Sequence, residues 1–240
     1  MNILITGATS GIGYQLALDY KKEGHQVWAC GRNTQALANL AVHQIHTIEV
    51  ELTDAQQVQL SFAKLPPLQL VILGAGICNY HDYQQFDGQA YANVIAVNLQ
   101  SIGYCLEALW LKFDTPSKLA LMGSLARYLP FTRSAGYGAS KAGLYQLAKV
   151  LRTDLPPRQI NIYYIEPGFV DTPLTRQNPF QMPWLLSCEK ASKIIRRRLT
   201  GKSWHIAFPW PLYWILKTLS ILPVSWQNAI CRYLAKQEKR

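Results

Sequence analysis

The chain has 240 residues, 49% hydrophobic and 16% charged, with a formal net charge of +10. That is enough for one core and too little for two comfortable domains, and its apolar content excludes a disordered or collagen-like chain. Residues 1–120 carry 6 Lys+Arg against 9 Asp+Glu, whereas residues 121–240 carry 18 against 5. The positive second half suits nucleic acid, an anionic membrane or a phosphorylated small molecule, and composition does not choose among them.

Met1-Asn2-Ile3-Leu4-Ile5-Thr6-Gly7 carries no basic region followed by a long apolar stretch and a small-residue cleavage site, so no secretory signal is expected and the fold is expected to begin at once. Short runs rich in Val, Ile and Leu predict strands at Asn2–Thr6, Gln26–Cys30, His46–Glu51, Gln69–Leu73, Lys118–Met122, Asn161–Ile165 and His205–Phe208. Amphipathic segments between them predict helices at Ile12–Glu23, Gln35–Val42, Ala55–Lys64, Tyr91–Leu111, Tyr137–Leu155 and Lys190–Leu199, with two more after Pro211 and Pro223. This alternation predicts an α/β fold: a doubly wound parallel sheet of about seven strands, covered by helices on both faces. No linker or repeat interrupts it, so residues 1–240 read as one domain. Cys30, Cys78, Cys105, Cys188 and Cys231 lie far apart without a C-x-x-C pair, which fits a reducing cytoplasm and small core thiols better than a disulfide framework.

The first strand runs into Thr6-Gly7-Ala8-Thr9-Ser10-Gly11-Ile12-Gly13, and a helix follows. Glycines there allow a tight turn and a close backbone approach to a diphosphate, while the helix N-terminus supplies N–H donors and partial positive charge. The segment therefore reads as a dinucleotide site.

Its T-G-x-x-x-G-x-G spacing resembles the short-chain dehydrogenase/reductase family. Tyr137-Gly138-Ala139-Ser140-Lys141 resembles that family's Y-x-x-x-K signature, Ser124 lies thirteen residues upstream at the end of a predicted strand, and Asn98 takes the fourth position of the family's tetrad. Pro167-Gly168-Phe169-Val170-Asp171-Thr172 is similar to the family's P-G-x-x-x-T segment beside the nicotinamide. The likeness covers about residues 1–175 and implies a Rossmann-type fold. It implies cofactor contacts at Gly7, Thr9, Ser10, Gly11, Ile12 and Gly13 in the turn, and at Tyr137, Lys141, Pro167, Gly168, Val170 and Thr172 later. It also implies a small carbonyl or alcohol substrate and a homo-oligomer.

Tyr137 and Lys141 are four apart and share a helix face, where an ammonium near a phenol favours the phenolate. Within the resemblance, Tyr137 protonates the carbonyl oxygen as hydride arrives, Ser124 hydrogen-bonds that oxygen, Lys141 also holds the nicotinamide ribose, and Asn98 anchors a water relay. After the second strand, Gly31 stands where an NAD enzyme needs a carboxylate, and Arg32 follows to meet a 2′-phosphate; NADP(H) is therefore predicted, with Asn33 assisting.

Two segments depart from the family pattern. Glu51, beside Leu52, stands where an aspartate usually meets the adenine, and Leu73-Gly74-Ala75-Gly76 stands where N-N-A-G usually ties neighbouring strands. The first lengthens the carboxylate's reach; the second removes amide side chains and bears on local stability. His43-x-x-His46 has no third ligand nearby and reads as surface histidine, so no metal is expected.

Residues 173–240 are read as a substrate lid followed by the last strand and helices. Pro173 to Leu186 includes Phe180, Met182 and Trp184 and reads either as an apolar lid over an apolar substrate or as simple packing. Further on, Leu212, Ile215, Leu216, Leu219 and Leu222 fall at helical spacing beside Trp210 and Trp214, while Lys190, Lys193, Arg196-Arg197-Arg198, Lys202, Lys236, Lys239 and Arg240 supply charge. This basic-aromatic region suits peripheral contact with a membrane, a dimer contact or core packing. The arginine triplet spreads over different helix faces outside any recognised module, so no nucleic-acid partner is expected. The expected activity is an NADP(H)-dependent oxidoreductase; a non-catalytic NADP(H)-sensing protein and a membrane-surface lipid reductase are the alternatives.

Overall fold

The structure, a computed structural model, describes residues 1–81, 84–178 and 181–237. Phe180, Lys239 and Arg240 of the sequence reading lie outside the described residues.

Seven strands form one sheet: β1 (Asn2–Thr6), β2 (Gln26–Gly31), β3 (His46–Glu49), β4 (Leu68–Leu73), β5 (Phe113–Met122), β6 (Ile160–Pro167) and β7 (His205–Phe208). All pairings are parallel, in the order β3-β2-β1-β4-β5-β6-β7. Side chains alternate between faces along a strand, and the central strands are apolar on both. Leu4, Val71, Leu119 and Tyr164 pack on one face with Phe62, Leu109 and Leu144, whereas Ile3, Ile72, Ala120 and Ile165 pack on the other with Leu16, Ala17 and Ile195.

The helices are α1 (Gly11–Lys22), α2 (Thr34–Val42), α3 (Ala55–Ala63), α4 (Gly88–Ile95), α5 (Ser101–Leu109), α6 (Ala135–Asp154), α7 (Cys188–Leu199), α8 (Trp210–Leu219) and α9 (Val224–Gln237). The helix predicted over Tyr91–Leu111 starts earlier, because the Asp87 carboxylate accepts the Ala90 N–H at 2.9 Å, and a π turn at Ala96–Gln100 divides it. β5 begins at Phe113 instead of Lys118: Phe113 pairs with Leu68 across a register irregularity, and the polar run Asp114–Ser117 had hidden that start. β3 stops at Glu49, the partner of Gly31 at the end of β2.

The chain builds β1 to β3 in one direction and then crosses to β4 on the other side of β1. Connections from β1 and β4 therefore leave in opposite directions, opening a crevice beyond their carboxyl ends. Thr6 bridges this switch point, its hydroxyl accepting the N–H groups of Gly74 at 3.1 Å and Ala75 at 3.4 Å. The tie expected from amide side chains in the fourth-strand segment is thus made from β1.

One charge is fully buried near the crevice. Glu166, in β6, is 0% exposed and is held by Arg127, by the Tyr128 hydroxyl at 3.2 Å and by His205. Arg127 closes the short turn Leu125–Arg127 that follows Ser124, and its guanidinium lies 3.5 Å from the centre of the Tyr145 ring. The cluster pins the Ser124 turn to β6 and β7. A buried carboxylate survives only while its partners remain, so Arg127→Met is expected to cost about 3–5 kcal/mol of stability. Chemical denaturation checks this, and a loss below about 1 kcal/mol, the scale of an exposed pair, would show that the cluster is solvated.

Candidate active site

Gly7 and Gly11 have φ values of 67° and 55°, in the left-handed region that a side chain disfavours. Gly13 meets a different constraint: a Cβ there would lie 2.3 Å from the Gly7 carbonyl oxygen, so only glycine lets α1 start this close to β1. Ser10 occupies the N-cap position of α1 and makes no capping bond with its side chain. The turn presents backbone N–H groups to a crevice of about 340 Å³.

That crevice runs from Arg32 at one end, past Thr9, Gly11 and Leu52, to Tyr137 and Lys141 at the other. Ile12, Gly74, Ala75, Gly76, Pro167, Gly168, Val170 and Thr172 border it as well. Asn33 and Glu51 are not on its lining. Asn33 caps α2 by accepting the Ala36 N–H at 3.0 Å. Glu51 accepts from Arg32 at 2.9 Å and from the Thr53 N–H and hydroxyl at 3.0 and 2.8 Å, and its carboxyl sits below the ordinary range because those hydrogen bonds outweigh partial burial. Gly31 has a packing reason of its own: a Cβ would lie 2.4 Å from the Thr9 methyl.

At the other end, α6 carries Tyr137 and Lys141, and β5 leads through Gly123 to Ser124. Lys141 is 3% exposed and donates to the Met122 carbonyl at 2.8 Å, with its nitrogen 5.5 Å from the centre of the Tyr137 ring. Burial pulls the Lys141 amine down to about 8. Burial also pushes the Tyr137 phenol up to about 12, against a hydrogen bond from Ser124 that works to lower it. Burial thus outweighs the Ser124 hydrogen bond, and the Cys78 thiol adds to the rise. Ser124 accepts the Ala126 N–H at 3.1 Å, which leaves the hydroxyl proton free to point at Tyr137.

Asn98 lies in the π turn and is completely buried. Its side chain accepts the Ile77 N–H at 2.8 Å and donates to the Ile77 carbonyl at 2.9 Å and to Ser140 at 3.0 Å. Both amide protons are engaged, so the side chain ties the segment after β4 to α6.

Three features escaped the sequence reading. The Cys78 thiol interacts electrostatically with both Tyr137 and Lys141, and burial raises its pKa to about 11. Its position two residues after Gly76 was the available signal. Thr175 lines the crevice and its hydroxyl accepts the Thr172 N–H at 2.9 Å, a turn foreshadowed by the Thr-x-x-Thr spacing. A second cavity of about 570 Å³, between Tyr80, Phe86, Tyr91 and Gly136, contains none of Ser124, Tyr137 and Lys141. Of the lid, Leu174 borders the crevice, whereas Trp184 and Leu185 face solvent. His46 stacks on Trp28 at 4.7 Å, and among the described residues no group of three His, Cys, Asp or Glu side chains is placed to hold a metal ion.

Comparison with known proteins agrees with this geometry. An uncharacterized oxidoreductase of Myxococcus xanthus is 29% identical over 243 residues, covering 96% of each chain. Serine 3-dehydrogenase of Agrobacterium fabrum is 29% identical over 184 residues, covering 72% of this chain and 73% of that enzyme. A short-chain dehydrogenase from Sphingobium yanoikuyae, solved in complex with NADPH, superposes with a TM-score of 0.79 at 20% identity over 87% of each chain. The short chain dehydrogenase family model matches residues 1–182. With the glycine turn, the nucleotide crevice and the Ser124, Tyr137 and Lys141 cluster at its end, the chain belongs to the short-chain dehydrogenase family of oxidoreductases, which bind a nicotinamide cofactor.

Proposed function

We propose that the protein is an NADP(H)-dependent oxidoreductase that interconverts a carbonyl and an alcohol, most effectively on apolar substrates. The observation that carries this reading is the convergence of a Ser124 hydroxyl, a Tyr137 phenol and a buried Lys141 amine on a crevice that the glycine turn also lines.

A bound nicotinamide would supply the hydride donor or acceptor. The glycine turn and the start of α1 would hold the diphosphate, Arg32 the 2′-phosphate and Lys141 the ribose beside the nicotinamide. Gly76 lies beside that amine, where a Cβ would make only ordinary contact at 3.5 Å from the Lys141 nitrogen. In the reducing direction Tyr137 gives its phenolic proton to the carbonyl oxygen, and Ser124 donates a hydrogen bond to that oxygen as negative charge develops. A phenol held at about 12 is protonated throughout the neutral range, which suits this donor role. Asn98 acts as a positioning residue by clamping Ile77.

Ile77, Val97 and Leu174 on the crevice lining favour an apolar substrate. We take residues 1–240 as one domain whose segment from 173 onward covers the substrate, with a homo-oligomer as the working assembly. NADP(H) is favoured because Arg32 is 63% exposed and its pair with Glu51 is a surface ion pair worth about 0–1 kcal/mol, which an incoming phosphate displaces at small cost. The NADPH bound in the Sphingobium structure is in keeping with this choice.

Tyr137→Phe is expected to lower kcat by about 10²–10⁴-fold with the fold intact, the range of general acid catalysis; single-turnover carbonyl reduction measures it, and a loss under tenfold would remove the mechanism. For reduction, kcat/KM is expected to fall as pH rises through about 8, where Lys141 loses its proton in the free enzyme, while Tyr137 stays protonated. A profile flat from pH 6 to 10 would contradict the role of Lys141. Titration with both cofactors should give tighter NADPH than NADH, and Arg32→Ala should weaken NADPH by about tenfold, equivalent to about 1.4 kcal/mol, without changing NADH. Equal affinities in the parent protein would refute the cofactor assignment.

A further inference from the structure

We propose that the C-terminal helical pair, α8 with α9, docks the protein onto an anionic lipid bilayer. The inference is independent of the redox reading.

The pair has two unlike faces. Inward, Leu212 and Leu216 of α8 and Cys231 of α9 pack with Leu125 and Leu129, which follow Ser124 in the chain. Outward, Trp210 is 68% exposed, Trp214 50% and Trp226 63%, with Ile215, Ile221 and Tyr233 also exposed. Trp210 and Trp214 are one turn apart and share the outer face of α8. The core packing expected from the leucine spacing therefore accounts for one face only and leaves Trp210, Trp214 and Trp226 half or more exposed.

Charge identifies the partner. α8 and α9 together carry three Lys or Arg residues and no Asp or Glu. They are Lys217, whose nitrogen is 4.9 Å from the centre of the Trp214 ring, and the exposed Arg232 and Lys236, one turn apart on α9. A second copy meeting this face symmetrically would set these cations against their own duplicates. Nucleic acid would satisfy the charge and leave Ile215 and Ile221 in water. An anionic bilayer takes both components: indole and aliphatic groups enter the headgroup and acyl boundary, and lysine and arginine meet lipid phosphates. No helix among the described residues is long and apolar enough to cross a membrane, so the contact lies on one leaflet.

The docked face adjoins the crevice. A Cβ on Gly168, which borders the crevice, would lie 2.9 Å from Leu212 and 3.4 Å from Leu125. α8 thus packs behind the Gly168 border of the crevice, and docking brings that border close to the lipid.

The test is co-sedimentation of the full chain with vesicles of phosphatidylglycerol and phosphatidylcholine in equal parts, beside pure phosphatidylcholine. Binding is expected to the anionic vesicles, weaker to the neutral ones, and to decline as salt screens the cations. Trp210→Ser with Trp214→Ser and Trp226→Ser is expected to reduce partitioning by about tenfold or more, with folding checked by circular dichroism. Arg232→Glu with Lys236→Glu leaves the apolar face untouched and should weaken binding to anionic vesicles alone, which keeps the test open if the tryptophan variant does not fold. Protein that stays in the supernatant at low salt overturns the proposal. So does a dimer in sedimentation velocity, abolished by the tryptophan substitutions, in protein that ignores vesicles.

Discussion

A lysine amine held 2.8 Å from the Met122 carbonyl, in a place closed to water, couples the reactive end of the site to the sheet beneath it. An ammonium in such a place loses hydration, so its proton is held less firmly, and the same burial makes the neighbouring phenol reluctant to ionise. Both shifts arise from where α6 lies against β5. The Tyr164 hydroxyl, donating to the Lys141 carbonyl at 3.0 Å, joins β6 to the same helix. Gly123 accommodates that tyrosine, because a Cβ at 123 would lie 2.3 Å from its ring. The acid and base groups are therefore set by packing across three elements.

The same economy of space shapes the nucleotide end. Gly7, Gly13 and Gly31 each lack a side chain for a steric reason, whether a left-handed backbone, a carbonyl 2.3 Å away or the Thr9 methyl. The absence of a carboxylate after β2 and the presence of Arg32 then follow from one arrangement: the position that could carry an acid has no room for it, and the next residue points a cation outward. Glu51 holds that cation from the neighbouring turn through a bond that is exposed and easily exchanged.

Charge and apolar surface are distributed with equal asymmetry. The first half supplies the glycine turn and is slightly acidic, whereas the second half carries all of the cationic excess. Some of that excess is internal: Arg127 neutralises Glu166, and Arg196 of α7 reaches Asp19 and Glu23 at α1. What remains outside is spread over α6, α7 and the C-terminal pair, with Lys149 and Arg152 on the first, Lys193, Arg197 and Arg198 on the second and Arg232 and Lys236 on the third. Local balance, not net charge, separates structural cations from those available to a partner.

Much of this was legible in the amino-acid order. Strands and helices declare themselves through apolar runs and amphipathic patterns, so the doubly wound sheet and the order of its elements are legible in the sequence, while Tyr137, Lys141 and Ser124 are named by resemblance to the family's signature. What spacing cannot carry is the environment contributed by residues distant in the chain. Spacing places Asn98 in the tetrad, but not the contacts that Ile77 and Ser140 bring to its side chain from two other segments. The four-residue spacing of Tyr137 and Lys141 says nothing of the desolvation that the surrounding elements impose on both groups. The turn at Gly74 looked untied until Thr6 reached it across the switch point. The leucine spacing of α8 located its inner face, but only the docking of that face on the Ser124 turn determined which tryptophans remain in solvent, since exposure depends on everything packed around a residue and not on its neighbours in sequence.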